Sequence, residues 1–139
     1  MAKRQIAAGA EAGRFDEWRL SGKQPTPINI DLSGHSRGAV TAGQTAKLIN
    51  KWIKAYGETY PEAKEFSKYV HYDVRLFDPV PGLVTDMHLG SCTLRDIPNM
   101  NATVFCSLGI AEPDFLFPLQ HVKGAKKLGV LPVKRTVNN

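Results

Sequence analysis

The chain has 139 residues, 42% of them hydrophobic and 22% charged, with a formal net charge of +5. That length sets one domain, with a core that removes roughly two thirds of the unfolded surface from water. No run approaches the 18 to 20 or so apolar residues of a membrane-spanning helix, and neither a repeat nor a low-complexity segment is present.

The start, MAKRQIAAGAEAGRF, is basic but has no hydrophobic region of the kind a signal peptide needs. The expected location is therefore the cytoplasm, or outside the cell by a route that uses no cleavable signal. Cys92 and Cys106 form neither a CxxC pair nor another zinc spacing, and they read as two reduced thiols. The basic surplus, densest in KGAKKLGVLPVKR, reads as an exposed tail over residues 121–139. It suits an anionic membrane surface. Basic and aromatic residues do not interleave, so nucleic acid is a poor partner.

In chain order, residues 5–20 form a helix candidate with Phe15, Trp18 and Leu20 on its apolar side. Gly22, Pro25 and Pro27 then break the chain. INIDLS alternates Ile28, Ile30 and Leu32 with Asn29, Asp31 and Ser33, the period of a strand. From Arg37 to about Tyr56, Val40, Leu48, Ile49, Trp52, Ile53 and Tyr56 fall at helical spacing. Ala39, Ala42, Gly43 and Ala46 thin one side of that helix for contact with a sheet, and Gly57 is a stop signal. ETYPEAKEFSKY is a short helix or an irregular connection. A second strand is expected in VHYDVRLF, ended by Pro79 and Pro81, and a third over Thr103 to Leu108. The stretch between those two strands reads as a long loop. Strand, helix, strand, connection, strand predicts an α/β domain with a parallel sheet and flanking helices, its core over residues 26–120.

Residues 34–38, GHSRG, match G-x-S-x-G. The motif alone is weak, but its surroundings supply what a nucleophile elbow requires: a strand entering the turn, a helix leaving it and small residues at Gly34 and Gly38. On this reading Ser36 is the nucleophile, and the Arg37 backbone N–H donates to the oxyanion. The competing readings are a tightly packed glycine turn and a phosphate-binding turn. The second lacks the Walker pattern G-x-x-x-x-G-K-[ST]. Asp78, at the end of the second strand, is the expected acid, with Asp86 in reserve. His35 lies inside the turn, His71 precedes Asp78 in the chain, and His88 falls before the third strand. His121 is the candidate base. This chemistry calls for no metal and no cofactor.

GHSRGA after a hydrophobic strand, then VRLFDPVPG about forty residues on, resembles the α/β-hydrolase lipases related to type VI secretion phospholipase effectors. IPNMNATVFCSLGIAEPDFLFPLQ is similar to that family too. The resemblance covers roughly residues 26–120. It implies a serine esterase or lipase acting on an ester or lipid, with Ser36 as nucleophile and Asp78 as triad acid. The family's histidine sits in a later G-x-H-type motif that is not found here, and the strands before the elbow are also missing. The chain is expected to be a partial or reduced member. A non-catalytic remnant or binding module on the same scaffold is the second reading.

Overall fold

A computed structural model gives the fold, and it describes residues 13–80, 91–106 and 120–129. Residues 13–21 are helical (α1). Strand β1, Ile28–His35, is followed after a single turn residue by helix α2, Arg37–Thr59. Two 3-10 turns, Pro61–Ala63 and Phe66–Tyr69, lead into β2, Val70–Phe77. Then come β3 (Ser91–Thr93), β4 (Met100–Cys106), β5 (His121–Lys123) and β6 (Lys126–Gly129).

The main sheet runs β1-β2-β4-β6, and every neighbouring pair in it is parallel. β3 and β5 form a separate parallel pair. The arrangement is α/β, as expected: a parallel sheet with helices packed on it.

Why the sheet forms is clearest at β2. Val70, Tyr72, Val74 and Leu76 are at most 3% exposed and lie under α2. α2 approaches closely because it presents Ala39, Ala42, Gly43 and Ala46, all buried. A Cβ on Gly43 would lie 3.3 Å from the Cys92 sulfur and 3.8 Å from a Leu76 methyl, so the helix rests at near-contact distance. α1 docks on the far part of α2 through rings, with Phe15 against Trp18, Trp52, Tyr56 and Phe66.

Several boundaries differ from the expected ones. β1 runs through His35 rather than ending at Ser33, because Gly34 and His35 still pair with Leu76 and Phe77. α2 passes Gly57 and ends at Thr59. That glycine serves close packing, since a Cβ there would lie 3.3 Å from the Lys64 backbone. β4 starts three residues before Thr103. Residues 121–129, read as tail, carry β5 and β6. β6 extends the sheet beyond β4, which basic composition could not reveal because its residues are exposed. Residues 5–12 of the first helix candidate, Pro81, Asp86, His88, Ser107, Leu108 and residues 130–139 lie outside the described residues.

Candidate functional site

Ser36 is the single residue between β1 and α2. Its backbone is at φ 57° and ψ −120°, a region L-residues rarely occupy, at a cost of about 1–3 kcal/mol. Such a conformation persists only when its surroundings fix it. The Ser36 N–H donates to the Phe77 carbonyl at 2.8 Å, and the Ser36 carbonyl accepts from Ala39 (3.1 Å), Val40 (3.3 Å) and Val80 (3.3 Å). Serine at a helix N-cap normally uses its hydroxyl to cap, yet Ser36 makes no side-chain cap bond. The residue is half-buried, and its hydroxyl is not committed to the helix.

The two flanking glycines differ. A Cβ on Gly34 would lie 2.6 Å from the Ala39 nitrogen and closer still to the Gly38 carbonyl, so only glycine fits. A Cβ on Gly38 meets nothing within 4 Å. The first turn of α2 carries no acidic residue. Its free N–H groups and the positive end of its dipole therefore face the Ser36 turn without a built-in counter-charge.

Asp78 repeats the pattern one strand over. It follows β2 directly, has φ 44° and donates its N–H to the Phe105 carbonyl at 2.8 Å. Its side chain is half-buried, and Pro79 behind it is fully buried. Its charge reaches Cys106, whose thiol is pushed up first by burial and further by Asp78, with Lys127 opposing. Non-glycine residues with positive φ are uncommon. Among the described residues they are Ser36, Asp78 and Asn99. Asn99 has a structural explanation, since its side-chain amide donates to the Lys68 and Val70 carbonyls. The other two stand together at adjacent strand ends, joined through Phe77 and Val80.

His121 opens β5, opposite Ser91, with an exposed side chain. The residue before it, Gln120, is 4% exposed and donates its N–H to the Pro79 carbonyl at 2.7 Å. That bond ties the His121 segment to the turn carrying Asp78. His35 is paired with Phe77 and exposed, and His71 lies at the opposite end of β2. Arg37 is the first residue of α2, exposed beside Ser36.

The Gln120 tie and the Val80 bond were not foreseeable from sequence, because both are backbone contacts between distant segments. Nor was the stack of Phe77 on Phe105, at 4.7 Å and 11°. Its one signal was an aromatic in each of two predicted strands, Phe77 closing the second and Phe105 within the third. Among the described residues no group of histidine, cysteine, aspartate or glutamate is placed to hold a metal ion. No family model, curated protein or solved structure matches the chain.

Proposed function

We propose that the protein is a serine hydrolase acting on carboxylic esters, with Ser36 on a nucleophile elbow of an α/β-hydrolase-like core. The observation that carries this reading is the Ser36 backbone, held at φ 57° between a strand and a helix with its hydroxyl unused for capping. A serine merely joining two elements has no reason to occupy a strained conformation and leave its cap bond unmade.

In this mechanism the Ser36 oxygen attacks the acyl carbon and its proton passes to His121. Asp78 orients the resulting imidazolium, and the Arg37 N–H donates to the tetrahedral oxyanion. The proton then goes to the departing alcohol, and water releases the acid by the same steps in reverse order. His121 takes the role of base because its segment is hydrogen-bonded to the Asp78 turn, whereas His71 sits at the far end of the sheet. The resemblance of GHSRGA and FDPVPG to phospholipase effectors supports a lipid ester as substrate and an anionic membrane as the surface where it is met. It also raises the prospect of export.

Wild-type protein should hydrolyse a short p-nitrophenyl ester and react with a fluorophosphonate at Ser36. Ser36→Ala should lose both activities with little change in stability. A mutant as fast as wild type would overturn the assignment. A second reading, a non-catalytic module on the same scaffold, is favoured by the exposure of the His121 side chain. It predicts fluorophosphonate-silent protein in which His121→Ala changes nothing.

A further inference from the structure

Phe77 and Phe105 are register partners at the carboxyl ends of β2 and β4, with rings stacked at 4.7 Å and 11°. Phe77 is 39% exposed, so burial in the core does not account for it. The residues before it on the same sheet face are polar: His71, Asp73 and Arg75 on β2, then Asn101 and Thr103 on β4. The aromatic pair thus falls at the rung next to the two strained residues.

The backbone explains the placement. The Phe77 carbonyl accepts the Ser36 N–H, and the Phe105 carbonyl accepts the Asp78 N–H, each at 2.8 Å. The acceptors that hold Ser36 and Asp78 therefore belong to the two stacked phenylalanines. Strand ends fray because pairing stops there. A cross-strand aromatic stack is a side-chain means of keeping the last rung closed where backbone pairing alone is weakest.

We infer that Phe105, by stacking on Phe77, is a positioning residue that sets the relative placement of Ser36 and Asp78. This rests on the hydrolase reading for its functional consequence, though not for its structural one. In this role the ring need not contact a substrate or the Ser36 hydroxyl. It acts through the two carbonyls.

The experiment compares Phe105→Leu, which keeps apolar bulk and loses the stack, with Phe105→Tyr, which restores a ring. Fluorophosphonate labelling of Ser36 should slow about tenfold in the leucine variant and stay within about twofold of wild type in the tyrosine variant. With an ester substrate, the leucine variant should lose kcat with KM unchanged. Amide hydrogen exchange supplies a readout that needs no activity. In Phe105→Leu the Ser36 and Asp78 amides should exchange about tenfold faster, while those of Val74 and Val104 keep their protection. A leucine variant with wild-type exchange at Ser36 and Asp78 overturns the inference. Wild-type protein that neither labels nor hydrolyses overturns the hydrolase reading alone, and the exchange comparison still decides the role of Phe105.

Discussion

At Gly34 an added methyl group would collide with the backbone of Gly38 and Ala39, whereas at Gly38 it would enter open space. The two glycines of GHSRG are therefore unequal. Gly34→Ala should destabilise the protein by about 2–4 kcal/mol, because the collision is with backbone that cannot swing aside. Gly38→Ala should be neutral or stabilise by up to about 1 kcal/mol, since Gly38 lies inside α2 where alanine is the better helix former. Urea unfolding midpoints of the two variants check this, and equal midpoints would refute it. The sequence placed glycine on both sides of Ser36 and could not tell which one the fold requires. That distinction depends on how steeply α2 leaves the strand. The placement of Ser36 and Asp78 was legible for a related reason: each follows a recognisable strand. His121 was harder, because its position depends on the Gln120 bond to Pro79, a contact between segments far apart in the chain.

At the scale of elements, α2 owes its orientation to two contacts of different kinds. Its small residues meet the sheet, and its distal end meets α1. There the Tyr56 hydroxyl donates to Asp16 at 2.5 Å and accepts from Arg19 at 3.1 Å, while Arg19 also lies over the Tyr60 ring at 3.9 Å and pairs with Glu62. Burial first, and then the Asp16 bond, hold the Tyr56 phenol above its ordinary range. Tyr56→Phe should lower stability by about 1–2 kcal/mol, because it leaves Asp16 and Arg19 without their shared partner. Thermal unfolding of the variant measures it, and an unchanged midpoint would show that α1 is held by its rings alone. This cluster also explains why α2 continues past Gly57. The last turn carries Tyr56, whose ring meets that of Tyr60 at 4.9 Å with the planes tilted by 50°. A local stop signal lost to tertiary packing.

Across the whole molecule the sheet is two-faced. Val70, Tyr72, Val74 and Leu76 face α2, while among the described residues Asn29, Asp31, Ser33, His71, Arg75 and Asn101 are exposed on the other side. Parallel strands usually read as continuous apolar runs because both faces are covered. Here the alternation that marked β1 and β2 as strands records a polar face. The order β1-β2-β4-β6 and the short strands at 121–129 were beyond reach, because register depends on partners and β6 has no apolar signature of its own. Both thiols lie on or beside the covered side: Cys92 and Cys106 are free and buried, and burial raises each above the usual thiol value. The folded state thus keeps protons that the unfolded chain releases above about pH 8.5. Stability should be fully present below that pH and should decline as pH rises toward the folded-state values. A series of melting temperatures from pH 7 to 10 measures the decline, and Cys92→Ala should flatten it. A flat profile in the unaltered protein would count against buried thiols.

The strands of the main sheet stand side by side in the order in which they occur along the chain. During synthesis each new strand can therefore be laid against the outermost one already in place, and no pairing already made has to be undone. β1, which leads into Ser36, is the first of these strands to leave the ribosome, yet the acceptor for the Ser36 amide arrives only with Phe77, and that for Asp78 only with Phe105. A nascent chain stalled shortly after β2 would hold the serine turn without the carbonyl that fixes the aspartate. The two positive-φ turns at Ser36 and Asp78 are therefore both fixed only once the sheet has grown past them.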